Sequence, residues 1–320
     1  MIEIQINLKR FDIPRELGGI CPFSKPQEWI ELVIEESIKC RLGNTKNLHV
    51  TYLLPEALIL SAANKLKTFP DEEAMGIDIG CEGVYREDIK KGGNFGAFTT
   101  NLPATAAKNL GCTWAIIGHS EERADKLGLI ECFEPKIKKD LKLKIKARKA
   151  TDNIINKEVL CALEANLNVL LCVGETLEER GEGKFVEQKT RIESILKSQL
   201  ILNLKGIKNK LYGKKIVIGY EPIWAIGPGK MPPGKEYISF VSKYIKTTIK
   251  DEFNFEPIVV YGGGLKEQNA GMLAEIDTID GGLVALTKFT DEIGFNVNEL
   301  KRIIDKYLTI SVLKNEKSKI

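Results

Sequence analysis

The stretch Ile216-Val-Ile-Gly-Tyr-Glu-Pro-Ile-Trp-Ala-Ile-Gly-Pro-Gly-Lys230 ends an apolar run on one carboxylate, Glu221, and follows it with a segment bounded by glycines and prolines. Ile216, Val217, Ile218 and Gly219 read as a buried strand, so Glu221 is expected where a strand stops and a mobile segment starts. Pro222, Trp224, Gly227, Pro228 and Gly229 give that segment the composition of a rigid flap. Such a flap closes over a small molecule as a unit and excludes water. An isolated Glu-Pro pair is an ordinary strand-to-helix turn with an exposed carboxylate; the full string reads as a base under a lid.

Seven further β-rich runs flank this one, at residues 2–7, 48–54, 75–80, 113–118, 168–173, 257–262 and 278–286. Several are continuously apolar, as strands covered on both faces are. The intervals carry amphipathic helical patterns such as Gln27–Lys39 and Glu187–Gln199. Eight strand-then-helix units predict an α/β chain folded as a closed (β/α)8 barrel, with a doubly wound open sheet as the alternative. Asn7, Lys9, His119, Glu221 and the glycines at 262–264 all follow the C-terminal ends of runs, the face that carries chemistry in such barrels. No repeat, low-complexity tail or linker divides the chain, so residues 1–320 read as a single domain with insertions near 15–27 and 130–157. The first is expected to border the mouth of the site. Within the second, Lys136 to Ala150 holds eight basic residues against one Asp. That pattern is either a solvated lysine-rich helix or an anion-binding or partner surface.

With 43% hydrophobic and 28% charged side chains among 320 residues, the chain can bury a large core. A net charge of +3 from 47 basic and 44 acidic groups gives no global field for nucleic acid. No apolar run reaches membrane-spanning length, and Met1-Ile-Glu-Ile-Gln-Ile-Asn7 lacks the features of a signal peptide. The expectation is a soluble, cytoplasmic protein with neither nucleic acid nor membrane as partner. Seven scattered cysteines without a Cys-x-x-Cys pair suit reduced core thiols, and with only His49 and His119 no metal centre is expected.

His119 ends the run Trp114-Ala-Ile-Ile-Gly118 and precedes Ser120-Glu121-Glu122-Arg123, which sets an imidazole at the start of a helix. The positive end of the helix dipole favours the uncharged ring there. A structural N-cap histidine is the plainer alternative. Lys9 and Asn7, two apart on a strand, would share one face and offer a charged and a neutral donor to a developing oxyanion; surface charge is the plainer reading of Lys9. A carboxylate, an imidazole, a lysine and an amide, with no metal cluster and no dinucleotide fingerprint, fit proton abstraction beside a carbonyl. Glu221 would take a carbon-bound proton and the other three would hold the enediolate. Acid–base terms of about 10² to 10⁴ and oxyanion donors of roughly 3 to 4 kcal/mol each leave no need for a cofactor.

The strings Asn7-Leu-Lys9, Ala115-Ile-Ile-Gly-His-Ser-Glu121, Cys172-Val-Gly-Glu-Thr-Leu-Glu-Glu-Arg180, Tyr220 to Lys230 and Tyr261-Gly-Gly-Gly264 resemble the triosephosphate isomerase family in order and spacing, over most of the chain. Gly96-Ala-Phe-Thr99 and Leu110-Gly111 extend the likeness. That family is the standing example of a glutamate base and a neutral histidine under a closing loop, and the mechanism is carried over from it. The resemblance implies a TIM barrel in which Glu221 is the base, His119 the electrophile, and Lys9 and Asn7 the oxyanion partners. It further implies Gly227, Gly263 and Gly264 as substrate-binding positions, a small phosphorylated sugar as substrate, and a homodimer in which the loop around Thr99 reaches the partner's site.

The likeness breaks at the phosphate end. The family's Tyr-Gly-Gly-Ser reads Tyr261-Gly-Gly-Gly264, and its Leu-Val-Gly-Gly-Ala reads Leu283-Val-Ala-Leu-Thr287. Ala285 and Leu286 thus stand where a diglycine lets two backbone N–H groups approach a phosphate. Glu122 replaces a basic residue, Phe11-Asp12 replaces Met-Asn, and Pro228 and Met231-Pro232 stiffen the lid and its far hinge. Three readings follow: a divergent triosephosphate isomerase in which Thr287, Lys288 or the basic segment helps hold the phosphate; an isomerase of another short-chain sugar phosphate such as a tetrulose phosphate; or a non-catalytic barrel with a binding role.

Overall fold

The computed structural model describes residues 1–94, 96–227, 229–288 and 292–317, so Pro228 of the lid string lies outside the described residues. Eight strands, β1 (Ile2–Asn7), β2 (Leu48–Leu54), β3 (Ile77–Cys81), β4 (Trp114–Ile117), β5 (Asn168–Val173), β6 (Ile216–Tyr220), β7 (Ile258–Tyr261) and β8 (Gly281–Val284), close into one parallel barrel. Neighbours in sequence are neighbours in space, and β1 completes the ring by pairing with β8. The open-sheet alternative is thereby excluded. The helices are α1 (Pro26–Lys39), α2 (Glu56–Leu66), α3 (Asp71–Ala74), α4 (Ala104–Asn109), α5 (Ser120–Phe133), α6 (Leu141–Glu164), α7 (Leu177–Arg180), α8 (Phe185–Asn203), α9 (Lys235–Phe253), α10 (Glu267–Ala274) and α11 (Val297–Lys317).

All eight expected runs are strands: 2–7, 48–54 and 168–173 keep their bounds, 75–80 shifts to 77–81, and the other four are shortened at their ends. The expected 278–286 contracts to Gly281–Val284 because Ile279 turns back onto Ile276 and Asp280 instead bonds Val259. Strand alternation sorts the side chains into two layers. Leu53, Trp114, Ile116, Leu170, Cys172, Val217, Val260 and Leu283 fill the lumen, while Ile4, Ile6, Val50, Tyr52, Ala115, Ile117 and their counterparts pack outward against helices. α1 illustrates the outer fit: Pro26 opens it, and Trp29, Ile30, Val33, Ile34 and Ile38 form its buried face at helical spacing.

The lumen is polar on the side of β1 and β2. Glu3 pairs with His49 across the ladder, and the His49 ring lies 2.7 Å from Glu3 Oε2 through Nδ1 and 3.0 Å from Asp78 Oδ2 through Nε2. Trp114 Nε1 donates to the same Asp78 oxygen at 2.8 Å. Burial alone would lower the imidazole's proton affinity, but hydrogen bonds and charge from Asp78 and Glu3 outweigh it and push His49 up to about 9. His49 is therefore an imidazolium at neutral pH. It lies at the N-terminal end of the barrel, remote from the loops that follow the strands.

The lysine-rich segment is largely helical: it comprises the end of α5, a short 3-10 turn (Pro135–Lys138) and the first part of the 24-residue α6. Asp140 caps α6 by accepting from the Lys142 and Leu143 N–H groups. Lys144 and Arg148 reach across to Glu178 of α7, and Arg148 also pairs with Glu179. The segment near 15–27 is tied to the chain beyond β8 by Arg15, which pairs with Glu292 and donates to the Ile293 carbonyl. Cys21, Cys81, Cys112, Cys161 and Cys172 are buried, but Cys132 is exposed near the end of α5, so the expectation of core thiols fails there. Among the described residues no helix is long and apolar enough to cross a membrane.

Candidate active site

Glu221 leaves the C-terminal end of β6 and is 2% exposed. Its N–H donates to the Val173 carbonyl at 2.8 Å, continuing the β5–β6 ladder by one residue. This close approach needs Gly174: a Cβ there would sit 1.7 Å from the Glu221 carbonyl oxygen. The side chain lies against Gly262, where a Cβ would come within 2.8 Å of Glu221 Cγ. Its carboxylate accepts from the Ser120 N–H at 2.9 Å and the Ser120 hydroxyl at 3.3 Å. Burial raises this carboxyl above the ordinary glutamate range, against the opposing pull of His119 and Ser120.

His119 follows β4 and is the N-cap of α5, as its position before Ser120 predicts. Its Nδ1 accepts from the Glu121 N–H at 3.3 Å, and its Nε2 lies 3.2 Å from Glu221 Oε1. A ring whose Nδ1 lone pair is engaged by a backbone donor carries its proton on Nε2. That proton points at the carboxylate. The site thus holds a desolvated base and an imidazole N–H in contact before any substrate arrives.

Lys9 is joined to this pair by Glu121. Lys9 Nζ lies 2.6 Å from Glu121 Oε1, on the residue whose N–H donates to His119 Nδ1. Burial works to raise the Glu121 carboxyl, yet the Lys9 hydrogen bond and charge prevail and the net shift is downward. Lys9 lies past the end of β1, in a turn. The strand alternation expected to set it beside Asn7 therefore does not apply, and the Leu8 N–H bond to the Leu53 carbonyl holds the turn at the barrel mouth instead. Asn7 closes β1 at 5% exposure, with its Oδ1 buried and unpartnered.

The lid begins at Pro222, forms a 3-10 turn over Ile223–Ala225 and continues to Gly227 at φ +115°. Among the described residues nothing lies within 4 Å of the point where a Gly227 Cβ would be. Its root is held by Glu175, a fully buried carboxylate just beyond β5. Tyr220 donates to it at 2.9 Å, Trp224 Nε1 at 2.7 Å and Tyr237 at 2.7 Å. Arg180 stacks 3.8 Å over the Trp224 ring. Burial raises the Glu175 carboxyl, and the three donors act to lower it without reversing the shift.

The phosphate end differs from the sequence expectation in detail. Gly264 has φ +90°, and a Cβ on Gly263 would meet Tyr261 Oη at 2.2 Å and Pro222 Cγ at 3.0 Å. Gly263 is thus packed beside the lid root, whereas a Cβ on Gly264 would meet only Lys266 Cε at 3.8 Å. After β8, Leu286 packs against the outer core. The Thr287 and Lys288 N–H groups both donate to the Gly294 carbonyl at 3.1 Å, and the Thr287 hydroxyl bonds to Asn296. Thr287, expected as a phosphate ligand, has its donors committed elsewhere.

Glu122, noted as a departure, has a structural place. It accepts from the Gly118 N–H at 2.5 Å and pairs with Lys126, which also reaches Glu158. Burial, and the charge of Glu122 beside it, push Glu158 up well above the carboxylate range, while Lys126 pulls against the rise. Sequence reasoning missed Ser120 as the clamp on Glu221 and Glu175 as the latch on the lid. Both sit beside strand ends, Ser120 directly after His119 and Glu175 two residues past the end of β5. Among the described residues no group of three or more histidines, cysteines and carboxylates is arranged to hold a metal.

Geometry of this kind sets the chain among the (β/α)8-barrel enzymes built for acid–base chemistry. The family model for triosephosphate isomerase matches residues 36–292. A triosephosphate isomerase of Chloroherpeton thalassium is 34% identical over 217 residues, 67% of this chain and 71% of its own. One from Finegoldia magna is 32% identical over 234 residues, covering 72% and 79%. The solved triosephosphate isomerase of Bartonella henselae shares the fold at a TM-score of 0.63 and 22% identity, over 96% of this chain and 99% of that one. The chain belongs to the triosephosphate isomerase family.

Proposed function

We propose that the chain is an aldose–ketose isomerase that interconverts dihydroxyacetone phosphate and glyceraldehyde 3-phosphate, with Glu221 as base. The contact between Glu221 Oε1 and His119 Nε2 at 3.2 Å carries this reading. Once the lid carries Glu221 off Ser120, its carboxylate removes the proton from C1 of the ketose. The electrons move into an enediolate whose oxygen charge is held by the Lys9 ammonium, the Asn7 amide and the His119 Nε2–H. His119 moves a proton between the two oxygens. Glu221 then returns its proton to C2, so every proton is restored and no cofactor is consumed. Gly227, Gly263 and Gly264 offer backbone to the phosphate. The chain acts as a single barrel domain in the cytoplasm, and as a homodimer through the exposed loop that carries Thr99.

One observation favours a second reading, an isomerase of another short-chain sugar phosphate such as a tetrulose phosphate. The Thr287 and Lys288 donors are engaged with Gly294, which alters the far end of the pocket and not the acid–base pair. A panel of three- to five-carbon ketose and aldose phosphates separates the two. Triose phosphate turnover at kcat/KM of about 10⁴ M⁻¹s⁻¹ or more supports the first reading; preference for a longer sugar supports the second. Absence of solvent deuterium incorporation into every substrate tried would sink both.

A further inference from the structure

Behind the acid–base pair, between α5 and the lysine-rich half of α6, lies a cleft of about 230 Å³. Ala124, Leu127, Ile145, Ile195 and Ile223 give it an apolar wall. Thr151 also lines it, is 4% exposed, and has an Oγ1 without a hydrogen-bond partner. A buried hydroxyl left unpaired costs about 1–3 kcal/mol, a penalty that a polar atom of an occupant would remove. At the rim, Arg148 is tied to Glu178 and Glu179, whereas the exposed Lys149 forms no ion pair among the described residues. The cleft falls below the roughly 300–1,000 Å³ of pockets for drug-sized ligands, so its occupant is small. Apolar walls with one available cation at the edge select a short apolar body with a single anionic head.

We propose that this cleft is a regulatory site for a small amphipathic carboxylate, whose chain lies on Leu127, Ile195 and Ile223 and whose head accepts from the Thr151 hydroxyl and meets Lys149. Two wall residues link it to the acid–base pair. Ser120 holds Glu221 through its N–H and hydroxyl, and Ile223 is the first residue of the lid's 3-10 turn. Lid movement that carries Ile223 away opens the wall of a filled cleft. The occupant therefore favours the arrangement with Glu221 on Ser120, and by linkage it slows turnover.

Hexanoate is the probe, added to the full-length protein, with hexan-1-ol as the control for the head group. We expect a saturable rise in melting temperature with hexanoate, weakened about fivefold by Lys149→Glu, the order of one surface ion pair. Ala124→Phe, at an exposed helix position that tolerates the ring, should abolish the rise by filling the mouth. In the wild type hexanoate should lower kcat at saturating substrate. The melting readout needs no turnover, so it stands or falls apart from the isomerase reading. No saturable rise, equal affinity in the wild type and Lys149→Glu, hexan-1-ol binding as tightly as hexanoate, or inhibition purely competitive with substrate would each overturn the proposal.

Discussion

The two histidines of this chain sit at opposite ends of one barrel, each against carboxylates, and the protein treats them differently. At the N-terminal end His49 lies between Glu3 and Asp78 with both ring nitrogens engaged by acids. There the charges balance: His49 lies between two anions, Lys215 lies 3.7 Å from the other Glu3 oxygen, and Trp114 ties in Asp78. At the C-terminal end His119 meets one buried carboxylate, and its other nitrogen accepts from a backbone donor. Settled charge supplies stability. A base whose carboxyl burial has raised, facing an imidazole nitrogen, supplies reactivity instead.

The contrast predicts separable losses. Glu221→Gln should lower kcat by about 10² to 10⁴ while substrate-analogue affinity and melting temperature hold, as measured by a coupled assay, titration and calorimetry. The base works only when ionised, so the acid limb of the wild-type rate profile should lie above the ordinary glutamate value of about 4.3. A limb at the ordinary value would show that burial does not tune this residue.

His49→Gln should do the reverse, costing about 3 kcal/mol near pH 6 with little change in kcat. The sign follows from linkage. His49 is raised to about 9 in the folded chain; its stabilisation is full below the unfolded value of about 6.5 and is lost as pH rises through the folded one. The wild type should therefore lose stability between those values, and the variant should lack that slope in denaturant titrations run across the range. If the variant melts like the wild type at pH 6, the division of labour between the ends is wrong.

Smaller effects test the phosphate end and the lid. Gly263→Ala brings a Cβ against the buried Tyr261 hydroxyl and should raise KM for the phosphorylated substrate about tenfold, with a lesser change in kcat. Trp224→Phe removes one donor from Glu175 in the arrangement with the lid clear of the site. That loss, about 1 kcal/mol, should favour closure and tighten binding of an enediolate mimic about fivefold in equilibrium titration. Weaker binding would mean that the indole serves the closed lid more than the open one.

The parts legible in the sequence were those a single strand carries to its own end. Apolar runs marked the eight strands, and Glu221 and His119 followed two of them directly. The His49 cluster was not legible, because Ile2-Glu-Ile-Gln-Ile-Asn7 alternates like a strand with one wet face. In a closed ring both faces are covered, so Glu3 and Gln5 are buried and the polar side faces the lumen. The latch at Glu175 depends on Tyr220, Trp224 and Tyr237 converging from three elements. No local pattern reports that. The change at Ala285-Leu286 was visible as composition, but the capture of two N–H groups by Gly294 depends on the chain folding back six residues after Lys288.

The pairing of β1 with both β2 and β8 has a consequence for how the chain is made. Residues Gly281–Val284 leave the ribosome on the order of tens of seconds after residues 2–7, at about 5–20 residues per second. Throughout that interval one side of the first strand has no partner and is open to pairing with another nascent chain. Its inward row carries Glu3 and Gln5, and inward-pointing polar and charged residues are a means by which natural sheets discourage edge-to-edge association. The glutamate that ends beside His49 would then guard the unfinished barrel against its neighbours before it has any role in the finished one.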